Sequence, residues 1–259
     1  MAGTILIDRD GTTATVTLNN PDRMNALDLE MWAGLARAFE TLSADDGLRC
    51  IVLRGAGDKA FAAGADVAQF AAVRSTVPQA RAFAAITHSS MQAIATCPHP
   101  VIAMIHGACV GGGLEIASMC DMRICGAASR FGIPVKRLGL VVSYSELKPL
   151  VALVGRAVAL EILLEGRIFD ADEALAKGLV NRVVADADVG EAVLAAAARI
   201  AEGAPLVARW HKQFVRRLDD PAPLSAAEID DCYACFETQD FAIGYQAFLD
   251  KARPVFTGR

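Results

Sequence analysis

Aromatic residues make up only 6% of the 259 positions, so the interior must be filled mainly by Ala, Val, Leu and Ile. Basic excess is missing too: 25 Lys and Arg stand against 30 Asp and Glu, a net charge of −5, which argues against a nucleic-acid partner. Long apolar runs are absent. The most apolar stretches, such as residues 101–104 and 150–154, fall far short of the roughly 20 residues that a membrane-spanning helix needs. The first 16 residues show no charged segment followed by an apolar one, and the seven cysteines are odd in number, so a reducing cytoplasm is expected rather than a disulfide framework. Cys232 and Cys235 form a lone C-x-x-C in a helical pattern, with no second pair and no suitably spaced histidine; core packing is expected there rather than zinc or redox work.

What is present is apolar and regularly patterned, with 54% hydrophobic and 21% charged residues, which excludes disorder as the main state. Residues 4–20 alternate at a period of two on either side of Gly11 and predict a hairpin. Asp28 is placed to cap a helix whose apolar positions Leu29, Trp32, Leu35, Ala36 and Phe39 recur every three or four residues. A short apolar strand is expected at 49–55, a helix at 78–95, and a buried strand, VIAMI, at 101–105. Strand, helix, strand implies a parallel crossover. Beyond residue 184 the segments 188–202, 204–218, 224–236 and 239–250 all have helical spacing. The division expected is an α/β core over 1–185 and a helical region over 186–259.

Two loops bring small residues to the end of a strand just before a helix: residues 61–66 (FAAGAD) and 107–115 (GACVGGGLE). Glycines let a ligand approach backbone N–H groups, and a helix start supplies unpaired donors. Two such donors aimed at one oxygen make an oxyanion hole, whereas the bland alternative is a close-packed turn. A phosphate cradle is a poor fit, because no GK[ST] follows either loop. Glu115 is a charge in an apolar helix start and needs either a partner or a purpose; helix-dipole stabilisation is the structural alternative. All four histidines are expected to be structural, and a serine peptidase built on Ser143 or Ser89 lacks a G-x-S-x-G elbow.

Taken together, NPDRMNAL at 20–27, FAAGADV at 61–67 and HGACVGGGLEIASMCD at 106–121 resemble the enoyl-CoA hydratase/isomerase, or crotonase, superfamily. The resemblance continues through FGIPVKRLGL at 131–140 to AFLDKARPVF at 247–256. It implies a crotonase-like spiral of ββα units with a C-terminal helical region, assembled as a homotrimer or a dimer of trimers. It also implies an acyl-CoA thioester substrate, with coenzyme A as part of that substrate and no metal or redox cofactor. Ala65 and Gly112 would donate their N–H groups to the thioester oxygen, and Glu115 would act as general acid/base. By the same resemblance Arg23, Ala26, Ala63, Asp66, Phe248 and Lys251 match positions that contact the substrate, the last two from a neighbouring subunit.

The chain departs from the hydratase pattern at one telling place. The second glutamate expected after F-G-x-P falls on Val135, which carries no proton, so weak or absent hydration of short 2-enoyl-CoA is expected. The glycine turn that normally follows is replaced by VVSYSELK at 141–148. From that segment Tyr144 or Glu146 can substitute for the missing acid, while Ser143 and Ser145 serve equally well as helix caps. Isomerisation, decarboxylation, thioester hydrolysis and non-catalytic acyl-CoA binding all stay open.

Overall fold

The computed structural model describes residues 3–259. The chain opens with the hairpin β1 (Thr4–Asp10) and β2 (Thr13–Asn19), in which Ala14, Val16 and Leu18 are buried and the alternating threonines half-buried. Helix α1 (Leu29–Ser43) begins where the Asp28 carboxylate accepts from the Met31 N–H at 2.9 Å. It leads into β3 (Cys50–Gly55), which lies parallel to β2 as the crossover reading requires. A three-residue strand, β4 (Ala60–Ala62), a short helix α2 (Phe70–Val73) and the long α3 (Val77–Thr96) follow.

Strand β5 (Val101–Ile105) is buried along its whole length. Beyond it come β6 (Ala108–Val110), α4 (Gly112–Met119), β7 (Met122–Gly126), β8 (Arg130–Gly132), α5 (Tyr144–Glu165), β9 (Phe169–Asp170), α6 (Ala171–Ala176) and β10 (Arg182–Val184). Helix α5 is interrupted at Gly155, whose φ of 74° and ψ of 164° lie outside helical space. Two sheets result. The larger has the order β1-β2-β3-β5-β7-β10, and the smaller the order β4-β6-β8-β9.

Both faces of the larger sheet are covered, which explains the continuous apolar run of β5. Ile51, Leu53, Val101, Ala103 and Ile105 pack in the main core with α1, α3 and α4, whereas Cys50, Val52, Ile102 and Met104 face the opposite layer. That second layer is α7 (Val189–Ala201), through Val189, Val193, Ala196 and Ala197. The expected helical region therefore begins with a helix that completes the core. Only then do α8 (Pro205–Arg217), α9 (Ala226–Asp230) and α10 (Gln239–Leu249) form the tail.

The core-packing expectation for the C-x-x-C pair is not met. Cys232 is exposed and Cys235 half-buried, because the tail segment that carries them lies on the surface of the chain. The other five thiols are buried, and burial pushes Cys50 and Cys120 up to about 12, which keeps both in the unreactive thiol form.

Candidate active site

Segment 20–27 holds the backbone of the first loop in place from outside the cavity lining. Asn25 is buried with a left-handed backbone, φ 55°. Its side-chain amide donates to the carbonyls of Ala60 (2.7 Å) and Ala56 (3.0 Å), and its oxygen accepts from the Asn20 N–H at 3.0 Å. The Leu27 N–H then donates to the Gly64 carbonyl (2.8 Å) and the Asp66 N–H to the Leu27 carbonyl (2.9 Å). Both bonds lie on one side of the loop strand. The N–H of Ala65, between them, is left on the other side, where Ala63, Gly64 and Ala65 line a cavity of about 340 Å³.

The second loop meets the first across that cavity. The Gly111 N–H donates to the Gly132 carbonyl (2.8 Å) and the Glu115 N–H to the Gly111 carbonyl (3.0 Å), which anchors the start of α4. Gly112 is the first residue of this helix, so its own N–H has no intrahelical acceptor. Among the described residues neither Ala65 nor Gly112 donates its N–H to another protein group. The loops touch at Gly64, which has φ 99°; a Cβ there would lie 3.0 Å from the Gly112 nitrogen. The position a Cβ would take on Gly112 is in turn 3.5 Å from the Ala65 nitrogen. Two unengaged donors thus face one space at a helix start, an arrangement suited to an oxygen that gains negative charge.

Glu115 lies one turn into α4 and lines the same cavity. Burial raises its pKa first and the nearby charge of Glu146 second, against an opposing pull from Arg74; the net effect takes it from 4.5 to about 8. Its carboxyl is therefore largely protonated near neutral pH. The far end of α4 is held by the buried Arg123, which donates to the carbonyls of Cys120 (2.6 Å), Leu179 (2.8 Å) and Ala117 (3.2 Å).

Val135 also lines the cavity, so no acid occupies its position. Glu146 comes from the first turn of α5. One of its oxygens accepts from the Ser143 N–H at 2.7 Å, and the other lies 3.6 Å from His88 Nε2. The Ser143 hydroxyl turns to His88 Nε2 (3.0 Å) and to the Ser145 hydroxyl (2.9 Å). His88 lines the cavity from α3. Sequence reasoning gave it a structural role, because nothing in its own helix signals a contact 55 residues away.

The remaining expected residues are dispersed. Arg23 pairs with Asp66 at 2.5 Å beside the first loop, and Asp66 also caps the following turn through the Ala68 N–H at 3.1 Å. Ala26 is buried and lies outside the cavity lining. Tyr144 is 92% exposed and points away from the lining, since the first residue of α5 faces solvent while Glu146, two positions on, faces inward. Phe248 and Lys251 are exposed at the end of α10 and do not line the cavity of their own chain.

Residues 8–259 match the family model described as enoyl-CoA hydratase/isomerase. The chain belongs to the enoyl-CoA hydratase/isomerase family. It is 32% identical over 257 residues to a crotonyl-CoA hydratase of Syntrophomonas wolfei, covering 98% of each chain. It is 30% identical over 251 residues to a short-chain-enoyl-CoA hydratase of Clostridium acetobutylicum, covering 96% of this chain and 95% of the relative. A crystal structure described as an enoyl-CoA hydratase/carnithine racemase from Magnetospirillum magneticum superimposes with a TM-score of 0.98 at 53% identity, over 99% of this chain and 96% of that one. The fold is accordingly the crotonase fold of this family, and the protein is an enzyme of the hydratase/isomerase type.

Proposed function

We propose, against the weak hydration expected from Val135 and because Glu146 brings a second carboxyl group to the cavity, that the protein adds water reversibly across the double bond of a 2-enoyl-CoA thioester. The observation that carries this reading is the pair of carboxyl groups on one cavity, with Glu115 raised to about 8 beside the two unengaged amides of Ala65 and Gly112. Two acids in different environments fit two roles. Glu146 takes a proton from water as the oxygen bonds to the β-carbon. The electron pair of the double bond moves toward the thioester oxygen, held by the Ala65 and Gly112 N–H groups. Glu115 gives its proton to the α-carbon, and exchange with solvent resets both carboxyls. On this reading Glu146 supplies from α5 what Val135 lacks. Coenzyme A is part of the substrate, and the scheme calls for no further cofactor.

A second reading is a double-bond shift in which Glu115 alone moves the proton between two carbons. It is favoured by Val135 and by the engagement of Glu146 with the Ser143 N–H. The same proposal gives Phe248 and Lys251 a role in a neighbour's site within a homotrimer or a dimer of trimers, since both are exposed on their own chain. The test follows hydration of 2-enoyl-CoA and isomerisation of 3-enoyl-CoA thioesters in wild type, Glu115→Gln and Glu146→Gln. Loss of hydration in both variants supports the first reading. Retained isomerisation in Glu146→Gln, with no hydration in wild type, supports the second.

A further inference from the structure

Arg74 is a half-buried guanidinium on the cavity wall that has no hydrogen bond and no ion pair with any described residue. Its central carbon lies 5.2 Å from the ring centroids of both Phe70 and Phe83, and those two rings meet edge to face at 6.2 Å. The guanidinium rests against both rings from one side and is held there by cation–π attraction. The rings leave its N–H edge without an acceptor. A guanidinium presents its donors in a planar fork, so an arginine on a cavity wall with no protein acceptor offers those donors to an anion that enters the cavity.

The protein's own carboxylates do not fill that role. Glu115 forms no ion pair within 4.0 Å of Arg74 and is largely protonated near neutral pH. Glu146 is already engaged by the Ser143 N–H and His88. Arg74 and Glu115 line the same cavity, so an acyl group held beside Glu115 lies in the space that Arg74 borders.

We propose that Arg74 receives a second carboxylate at the far end of the acyl group, so that the preferred substrate is a CoA monothioester of a short dicarboxylic acid. This rests on the acyl-CoA reading above and sharpens it. Carboxylate and guanidinium match in a two-bond fork, and the modest cavity, about 340 Å³, suits a short chain. An enoyl chain ending in a methyl group would forfeit that pairing.

The test uses saturated thioesters, which bind without turning over. Dissociation constants are measured by calorimetry for succinyl-CoA against butyryl-CoA and for glutaryl-CoA against pentanoyl-CoA, so that each pair has equal carbon count. Wild type is expected to hold the diacid of each pair at least about tenfold tighter, in line with a charge-assisted pairing. Arg74→Met should bring that ratio close to one, and Arg74→Lys should keep part of it. Equal affinities in wild type, or tighter binding of the monoacids, overturn the inference while leaving the acyl-CoA reading intact. Equal weakening of both thioesters by Arg74→Met also overturns it, and assigns Arg74 to the phosphates of coenzyme A. Failure of all four thioesters to bind overturns the acyl-CoA reading and this inference together.

Discussion

The carboxyl of Glu115 and the carboxylate of Glu146 line one cavity from two different helices, and the charge of Glu146 opposes the ionisation of Glu115. Removing either should therefore alter the other. Glu146→Gln deletes the repulsion, so Glu115 ionises at lower pH. Where that variant keeps measurable turnover, the alkaline limb of its pH–rate profile is expected to move toward lower pH. A limb that does not move would show that the two groups are uncoupled.

Glu115→Gln keeps the size of the side chain and removes the transferable proton. Turnover is expected to drop by about 10²–10⁴-fold with the fold retained by circular dichroism, the range typical of a positioned general acid or base. Unchanged turnover would remove Glu115 from the mechanism.

The same residue gives the stability curve a sign. Glu115 goes from 4.5 when solvated to about 8 when folded, so the native state binds more protons between those values and stability falls as pH rises through that window. Below pH 4.5 and above pH 8 the contribution is flat. Denaturant titrations from pH 5 to pH 9 should show wild type losing up to ~3–5 kcal/mol from this group, while Glu115→Gln loses that much less. Parallel curves for the two proteins would contradict the burial argument.

Gly64→Ala tests the meeting of the two loops. The residue has φ 99°, and a Cβ would press on the Gly112 nitrogen at 3.0 Å and on the Val110 carbonyl at 3.1 Å. The backbone strain is expected to cost about 1–3 kcal/mol of stability. Displacement of one donor should lower the turnover number by about 10²–10³ with a smaller change in KM. A full turnover number in Gly64→Ala would show that the spacing of the two amides is unimportant.

Much of this was legible in the chain because it depends on local patterns. The threonine alternation of β2, the all-apolar β5 and the Asp28 cap each follow from a period or from a residue type at a helix boundary. The strands of the smaller sheet were not legible, since β4, β6, β8 and β9 have three residues or fewer and carry no measurable period. The site divides in the same way. The two small-residue loops and the charge of Glu115 stood out from the local pattern, whereas Ala65 and Gly112 as the candidate donors came from the family resemblance. The link from His88 to Ser143 and Glu146 joins α3 to the start of α5 and exists only once the chain has folded. Ser143 shows the difference clearly: it stands at the N-cap position of α5 as expected, yet its hydroxyl turns to His88.

The most direct test of the whole account is the carbonyl stretch of a bound thioester, read by isotope-edited infrared difference spectroscopy with a ¹³C label at the thioester carbon. Two amide donors converging on its oxygen should move the band to lower wavenumber on binding, and Gly64→Ala should reduce the shift. A band that stays at its free-solution position in the saturated complex would contradict the assignment of Ala65 and Gly112.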